Sequence, residues 1–323
     1  MSIKDIVKKL LPDSAVRKIT EKRKQAQREE KRRYIEQEAP RFTKEDIVKG
    51  LRDLGIAEGD FVFMHASLSR LGRVEGGAEA VLDALLAAVG KTGTLVMPAF
   101  CVKRGMLGQV LSGEVFDPEI TPSSTGAICE AFRKRPEAFR SIHPTHSLVA
   151  IGPLAEELLR DHEKAETAVG RGSPFERIHD RNGWILGLAV LSGTIVLYRT
   201  YEDLRDQYPV ETYLPDLYEA KYIGSDKQVH TMRMKVHDPD LNQYRLHVRP
   251  EAAERFLRLM KARGDIRVGP VGMSDSFLVR TRELFRILDE LLDEGITFYV
   301  TSTEDDVPDS VKFAPPVKKE SSG

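Results

Sequence analysis

Two histidines lie three residues apart in the segment RSIHPTHS, residues 140–147, beside an arginine and a serine. Histidine is the side chain that exchanges a proton near neutral pH, and the arginine guanidinium binds phosphate through a planar fork of donors. Their proximity predicts a place where an anionic cofactor meets acid–base chemistry. The alternative is a surface loop whose histidines have no chemical role, because isolated short motifs often occur by chance.

The composition of the chain limits the classes of function. The 323 residues carry 49 Lys and Arg against 50 Asp and Glu, so no overall field favours nucleic acid and any anion site must be local. Cys101 and Cys129 have no paired spacing, so we predict neither a disulfide framework nor a cysteine zinc site, and we expect a cytoplasmic protein. No apolar run approaches the ~20 residues of a membrane span, and the N-terminus lacks the apolar core of a secretory signal.

The first 40 residues differ in charge from the rest, with twelve basic and seven acidic residues. Residues 1–11 place apolar side chains at helical spacing among lysines, which predicts a short amphipathic segment that contacts an anionic membrane surface. Residues 14–36 have the pattern of a highly charged helix, typical of a solvated spacer or an oligomerisation arm. We therefore expect a basic helical extension over residues 1–41, with peripheral membrane contact or homo-oligomerisation as its role.

The patterning of the body predicts one domain over residues 42–305, followed by a disordered polar tail over 306–323. Thr43 has the form of a helix N-cap, and buried strands at 61–67 and 94–100 flank an apolar helix that ends at Gly90. Strand, helix and strand in this order form a βαβ unit. The prediction is an α/β fold with a mixed, partly parallel sheet covered by helices.

The C-terminal half of the body adds further elements. We predict a β-hairpin appended to the main sheet within residues 210–250, helices at 251–262 and 280–294, and a last strand at 296–300. Three histidines in this part of the chain match no metal-binding spacing, and we interpret them as residues on strand surfaces: His230, His237 and His247.

The connection after the first buried strand has the composition of an anion cradle. Ser67 and Ser69 supply hydroxyls, and Gly76 and Gly77 leave backbone N–H groups unhindered before a helix N-terminus, where the helix dipole favours negative charge. The glycines do not follow the spacing of a Rossmann or P-loop fingerprint. The alternative is that the glycines permit the turn and Ser69 caps it.

Several blocks of sequence closely resemble the aminoglycoside 3-N-acetyltransferase family. They are FMHASLSRLGRVEGGAEAVLDALLAAVGKTGTLVMPAF, FDPEITPSSTGAICEAF, RSIHPTHSLVAIGPLAEEL and His162 followed by GRGSPFERI, with further likeness at 183–187, Glu202–Asp203 and 263–292. The resemblance spans about residues 45–300. It implies a mixed α/β acyltransferase that uses acetyl-coenzyme A to acetylate an amine on an amino-sugar ring.

The implied reaction needs a base, because an ammonium must lose a proton before its nitrogen can attack a thioester. The resemblance makes His143, His146 and His162 the candidate bases and Glu202 the carboxylate that orients one of them. We rank His162 with Glu202 first and His146 next, with a packing role as the alternative for each histidine. A metal site at His143 and His146 is disfavoured, since no nearby cysteine or carboxylate completes a tetrahedral set, and we predict a reaction without metal.

Coenzyme A requires cationic groups for its phosphates and backbone donors near its thioester. The resemblance assigns Arg140 and Ser141 to the phosphates. It assigns the pantetheine arm or the thioester to the cradle, and we include all five of its residues in the cofactor site: Ser67, Leu68, Ser69, Gly76 and Gly77. A backbone N–H in this segment would also stabilise the oxyanion of an acyl-transfer intermediate.

Two departures from the family bear on the acceptor. Arg199, beside Tyr198, stands where the family often has a histidine, and residues 100–109 lack the acidic and aromatic residues that drug-modifying members place there. Lys103, Arg104 and Arg199 repel a polycation and attract a phosphate or carboxylate. We therefore predict a nucleotide-linked or other anionic amino sugar of surface polysaccharide biosynthesis. The alternatives are an aminoglycoside, whose acetylation confers antibiotic resistance, and a non-catalytic scaffold that binds coenzyme A.

Overall fold

The structure, a computed structural model, describes residues 13–300. The amphipathic segment expected at residues 1–11 and the tail expected after residue 305 lie outside the described residues. Within the described range, none of the helices combines the length and apolar character that a membrane span requires.

The main elements follow the chain as two sets. The α-helices are α1 (Asp13–Gln37), α2 (Lys44–Leu54), α3 (Gly77–Val89), α4 (Gly105–Leu111), α5 (Ala127–Arg133), α6 (Ala155–Leu159), α7 (Pro174–Asp180), α8 (Leu197–Asp203), α9 (Pro250–Lys261) and α10 (Thr281–Asp293). The strands are β1 (Arg41–Phe42), β2 (Phe61–Ala66), β3 (Arg73–Val74), β4 (Thr94–Pro98), β5 (Phe139–Arg140), β6 (Leu148–Ile151), β7 (Trp184–Leu188), β8 (Tyr213–Ile223), β9 (Val229–His237), β10 (Arg267–Val271) and β11 (Ser274–Arg280). Short 3-10 turns lie at Leu68–Arg70, His162–Lys164, Ser192–Thr194, Pro239–Tyr244 and Leu246–Val248.

The central sheet has the strand order β10-β11-β7-β2-β4-β6-β5. The neighbours β7, β2 and β4 run parallel, while the other pairs are antiparallel. The parallel pair β2 and β4 is connected through α3, which confirms the predicted βαβ unit. The predicted mixed, partly parallel sheet is therefore confirmed.

Helix α2 shows how local sequence sets an element. The Asp46 N–H donates to Thr43 Oγ1 at 3.2 Å and the Thr43 N–H donates to the Asp46 carboxylate at 2.8 Å, so the predicted N-cap is a full capping box. The helix ends at Gly55, whose φ of 112° suits a residue without a side chain. Ile47 and Leu51 on one stripe are buried against the sheet.

Alternation along β2 divides the interior into two cores. Val62 and Met64 pack with α2 and α3 on one face of the sheet. Phe63 points to the opposite face, where its ring meets Phe175 of α7 with the ring centroids 5.9 Å apart. Successive side chains of a strand point to opposite faces, so a single buried strand feeds both cores.

The hairpin formed by β8 and β9 confirms the predicted pairing but not its attachment. The two strands form a separate two-stranded sheet, so the prediction that they extend the main sheet is wrong. Instead, Ala220, Met232, Met234 and Val236 are buried in the second core. The hairpin is thus held by side-chain packing, which needs no free strand edge.

The predicted strand at 296–300 is also wrong. Only Tyr299 makes a bridge, an isolated antiparallel one with Arg245. The segment is a coil whose apolar side chains Phe298, Tyr299 and Val300 are buried in the core. A short apolar run of this kind fits either a buried strand or a buried coil, and its length alone does not separate the two.

The N-terminal extension is helical, as predicted for residues 14–36, and its end contacts the body. Arg73 Nη1 donates to the Glu36 carbonyl at 2.8 Å, and β1 pairs in parallel with β3. Ala39 is buried. We propose that the compact domain begins at residue 42, with the preceding helix docked on it through this junction.

Candidate active site

The structure brings the three candidate histidines together. His143 and His146 lie on the loop between β5 and β6, and His162 begins a 3-10 turn after α6. The ring centroids of His143 and His162 are 4.5 Å apart, and those of His143 and His146 are 6.2 Å apart. All three side chains are buried, so their surroundings decide which of them can reach a substrate.

His162 has both ring nitrogens engaged within the protein. Its Nε2 donates to the Ala168 carbonyl at 2.8 Å, so its Nδ1, 2.9 Å from Ser141 Oγ, accepts the serine hydroxyl. Ser141 Oγ in turn accepts the Leu148 N–H at 2.8 Å. Burial lowers the pKa of His162 to about 3. His162 is therefore a neutral histidine that connects three chain segments.

Glu202 does not orient His162, and the predicted pair is not formed. The Glu202 carboxylate accepts Arg245 Nη2 at 3.0 Å and also the Tyr299 hydroxyl. Both ionised groups are buried. A buried carboxylate pairs with the cation that the fold brings next to it, and Arg245, 43 residues further along the chain, gave no sign of that contact in the sequence.

His146 is the histidine of this group whose ring borders open space. Its Nδ1 lies 2.9 Å from Thr145 Oγ1, and no protein group within the described range bonds its Nε2. His143 Nδ1 accepts the backbone N–H groups of Thr145 at 3.3 Å and His146 at 3.1 Å, so the proton of its neutral ring is on Nε2. His143 thereby holds the loop that presents His146.

The contacts of this loop accommodate a tautomer of His146 in which Nε2 carries no proton. Thr145 Oγ1 also lies 3.4 Å from His143 Nδ1, which has no proton to give. The Thr145 hydroxyl can donate towards His143 Nδ1 while it accepts the Nδ1–H of His146, and in that tautomer His146 Nε2 carries no proton. Burial, the positive charge of Arg199 and His162 together hold the pKa of His146 well below its usual 6.5. The ring is neutral at pH 7, as a general base must be.

Three adjoining cavities lie at this site, and His146 is the one of the three histidines that lines any of them. A central cavity of about 430 Å³ is lined by His65, His146, Tyr198, Arg199, Arg245 and Phe298, among others. A hairpin-side cavity of about 450 Å³ shares Val102, His146, Arg199 and His247 with it and adds His237 and Asn242. A helix-start cavity of about 540 Å³ shares Ala66 and Thr125 with the central one. His146 therefore lies where the first two cavities meet.

The helix-start cavity contains most of the predicted cofactor cradle. Ser67, Leu68, Ser69 and Gly77 line it, while Gly76 is the N-cap residue of α3 and is not among the lining residues. A Cβ added at Gly77 would have no heavy atom within 4 Å, so its bare backbone faces open space. The cradle therefore has the room and the exposed backbone that a pantetheine arm requires.

Backbone donors of the cradle differ in availability. The Ser67 N–H donates to the Leu188 carbonyl at 3.1 Å and is used. The N–H groups of Leu68 and Ser69 begin a 3-10 turn and have no acceptor within residues 13–300. Ile35 from the end of α1 completes the wall, so the N-terminal extension contributes to this cavity.

Arg140 and Ser141 do not line any of these cavities, so the structure gives no support to their predicted role in phosphate binding. The Arg140 guanidinium donates to the carbonyls of Thr121 at 2.5 Å and Ala99 at 2.9 Å, and to Ser147 Oγ at 3.1 Å. The Ser141 hydroxyl is committed to His162. The polar groups of this segment satisfy buried backbone carbonyls, which would otherwise have no partner.

The three predicted acceptor-binding residues have different positions. Arg199 lines both the central and the hairpin-side cavity. Tyr198 lines the central cavity with its ring, but its hydroxyl is buried 3.7 Å from Met260 Sδ. Lys103 is exposed and lines none of the three cavities, so its predicted role has no structural support.

One residue that lines the central cavity, His65, has no counterpart among the sequence predictions. His65 is the penultimate residue of the buried strand β2, its Nε2 accepts the Val196 N–H at 3.3 Å, and burial lowers its pKa to about 4. Its place at the carboxyl end of a strand was the available signal. His237 is 5% exposed, so its interpretation as a surface residue is wrong. His230 is exposed beside Asp226 on β9, whereas His247 lies in a 3-10 turn at the cavity rim.

Within the described residues, Cys101 and Cys129 form no disulfide, and both are buried. Residues 13–300 contain no cluster of three His, Cys, Asp or Glu side chains arranged to hold a metal ion.

Comparison with known proteins gives consistent matches. The family description aminoglycoside 3-N-acetyltransferase matches residues 63–293. Aminoglycoside N(3)-acetyltransferase III of Acinetobacter baumannii is 32% identical over 257 residues, covering 75% of this chain and 88% of that protein. The type IX protein of Micromonospora chalcea is 30% identical over 260 residues, covering 75% and 90%.

Solved structures show the same likeness. The crystal structure of aminoglycoside acetyltransferase AAC(3)-Xa superimposes with a TM-score of 0.67 and 28% identity, covering 81% of this chain and 95% of that one. The structure of AAC-VIa bound to sisomicin gives a TM-score of 0.67 and 28% identity, with coverage of 79% and 98%.

Proposed function

Since this chain belongs to the aminoglycoside 3-N-acetyltransferase family and is an acyltransferase that uses acetyl-coenzyme A, we propose that it acetylates an amine of an amino sugar with His146 as general base. One observation carries the assignment of the base. The His146 ring borders the central and hairpin-side cavities with Nε2 unbonded, whereas both nitrogens of His162 are bonded to the protein.

The proposed role of His146 is proton transfer. Acetyl-coenzyme A supplies the acetyl thioester. His146 Nε2 accepts the proton that the amine nitrogen loses as the N–C bond forms and the C–S bond breaks, and then returns it to the departing sulfur. This step needs the tautomer in which the His146 Nδ1–H donates to Thr145 Oγ1, 2.9 Å away, and Nε2 is unprotonated. General-base catalysis of this kind contributes roughly 10²–10⁴-fold to a rate.

The helix-start cavity is the proposed site for the coenzyme. Its wall contains Ser67, Leu68, Ser69 and Gly77, with exposed Arg73 at its edge as a cation for phosphate. The N–H groups of Leu68 and Ser69 are the donors free to stabilise a developing oxyanion, because donors with no prior partner need no reorganisation. This cavity adjoins the central cavity, which is the position that a donor opposite His146 requires.

Two classes of acceptor follow from different observations. The names of the relatives point to aminoglycosides, which were our alternative prediction, and do not refer to polysaccharide precursors. An aminoglycoside acceptor is therefore the first candidate. The second candidate is an amine that carries an acidic group. It is favoured because no Asp or Glu is among the residues lining the central and hairpin-side cavities, and a polycation binds best beside carboxylates.

The test is an assay of the full chain with acetyl-coenzyme A and a mixed panel of aminoglycosides and amino sugars. We expect thiol release and a product mass gain of one acetyl group, with loss of both in His146→Gln. Coenzyme A binding without acetyl transfer to any amine would refute the proposal and favour a scaffold. Homo-oligomerisation remains a prediction, which size-exclusion chromatography of the full chain tests. Membrane contact remains a prediction, which liposome co-sedimentation tests. A cytoplasmic location also remains a prediction.

A further inference from the structure

We propose that the hairpin-side cavity is an anion-recognition subsite, in which Arg199 and His237 bind a carboxylate or phosphate carried by the amine acceptor. The inference rests on the proposed N-acetyltransfer and narrows its acceptor. It places the acidic group beside His146, which lines the same cavity, so that an amine on the same molecule lies within reach of the base.

Arg199 is a cation without a counterion. It is half-buried on α8 and lines both cavities, yet its guanidinium makes no hydrogen bond or ion pair within the described part of the chain. Burial and then the charge of Arg245 lower the pKa of the Arg199 guanidinium to about 10, and Glu202 offsets only part of this shift. A guanidinium kept in such a position with its fork of donors unused is suited to bind a carboxylate or phosphate.

His237 is a second polar group without a partner. Its side chain is 5% exposed, and neither ring nitrogen has a hydrogen-bond partner in the range described. The ring lies at the end of β9, 4.5 Å from Tyr213 and 6.3 Å from His146 between centroids. Buried polar atoms are nearly always paired, so an unpaired imidazole in a cavity wall indicates that a ligand supplies the partner.

Two carboxylates near Arg199 are already committed. Glu202 pairs with Arg245 and Tyr299. Asp203 accepts hydrogen bonds from Thr167 at 2.5 Å and from Tyr213. Neither lines the cavity, so neither offers its charge to a cationic acceptor.

The further polar groups of the cavity fit the same assignment. Arg104 lines the cavity and is paired at its exposed end with Glu114 at 2.7 Å. Asn242 and His247 supply neutral polar groups. The subsite therefore combines one free cation with neutral donors. This composition suits an anionic group and offers no carboxylate to bind a polyamine.

The experiment uses matched acceptors with the full chain at pH 8, where His146 and His237 are neutral because burial lowers the pKa of each ring. Glucosamine is compared with glucosamine 6-phosphate, with muramic acid as the carboxylate probe and kanamycin as the polycation. We expect the best acidic amine to exceed glucosamine by about 10–100-fold in kcat/KM, the size of one charge-assisted contact. The two acidic probes separate a phosphate from a carboxylate subsite.

Two variants assign the effect to the proposed residues. Arg199→Gln should remove the preference for the acidic amine through a rise in KM, and Arg199→Lys should restore part of it. His237→Leu should raise the same KM about 3–10-fold while leaving the melting temperature unchanged or higher, because it removes unpaired polar atoms. A purely structural histidine would lower the melting temperature and raise KM for every acceptor alike.

The outcomes separate this inference from the proposed function. Efficient acetylation of glucosamine or kanamycin, unchanged or improved in Arg199→Gln, would overturn the anion subsite and leave the acetyltransferase intact. Calorimetric binding of glucosamine 6-phosphate that depends on Arg199, without acetyl transfer, would support the subsite and refute the proposed reaction.

Discussion

Replacement of His146 by glutamine tests the assignment of the base most directly. In the native protein, Thr145 Oγ1 lies 2.9 Å from His146 Nδ1. Glutamine keeps a polar side chain of similar reach, so it can still bond Thr145 Oγ1. It has no group that accepts a proton near neutral pH. The substitution therefore removes the proposed chemistry while it preserves most of the packing against Phe100, whose ring centroid lies 4.6 Å from that of His146.

The expected loss follows from the geometry. A fixed general base contributes roughly 10²–10⁴-fold, which corresponds to about 3–5 kcal/mol of transition-state stabilisation. We expect the upper half of this range, because two contacts fix the His146 ring before the substrate arrives. The His146 N–H donates to His143 Nδ1, and Thr145 Oγ1 contacts His146 Nδ1. The loss should appear in kcat, with KM for acetyl-coenzyme A nearly unchanged, since His146 does not line the helix-start cavity.

The assay is steady-state thiol release with the best acceptor of the panel, together with thermal unfolding. The matched control is His162→Gln, the same change at a buried histidine whose nitrogens bond Ser141 and Ala168. We expect the control to lose about 1–3 kcal/mol of stability through these unpaired groups and less than about ten-fold in kcat. A folded His146→Gln protein that keeps kcat within about ten-fold, or a greater loss in the control, would refute the reasoning.

Further predictions concern the coenzyme site, the extension and the pH dependence. Arg140→Met should lower the free energy of unfolding by about 3 kcal/mol in a denaturant titration, because buried carbonyls lose charged donors, whereas a raised KM for acetyl-coenzyme A at unchanged stability would restore its predicted phosphate role. Ile35→Asp should raise that KM about 5–20-fold, since it puts a charge into the cavity wall, and Ile19→Asp on an exposed position of the same helix should not. Arg199→Gln should move the acid limb of the pH–rate profile to higher pH, because its charge lowers the pKa of His146 and only the neutral ring is active; an unmoved or lowered midpoint would show that another group controls that limb.

Local patterns in the sequence were sufficient for the elements whose cause is local. The capping box at Thr43, the glycine that ends α2 and the alternation along β2 each follow from neighbouring residues. The βαβ unit was predictable for the same reason, because it needs only two buried strands and an intervening helix close in the chain. The strand predicted from the apolar run at 296–300 was wrong, because a buried coil and a buried strand have the same short pattern.

The candidate site was predictable as residue types and not as contacts. The segment 140–147 pointed to His143 and His146, but the sequence ranked His162 with Glu202 ahead of His146, whereas in the structure His146 is the candidate base that lines the cavities. The sequence had no means to show that Ser141 and Ala168 occupy both nitrogens of His162. Nor did it show that the carbonyls of Thr121 and Ala99 engage Arg140.

What the sequence determined by itself was the class of fold, the family and the kinds of side chain available for chemistry, because these depend on composition and on order along the chain. The tertiary structure alone decided which candidate histidine lines a cavity and which arginine at the site has no ion-pair partner among the described residues. Glu202 is bonded to Arg245, 43 residues away, while Arg199, three residues before Glu202, has no counterion in the described chain. Reactivity depends on burial and on partners brought together by folding, and a linear pattern records neither.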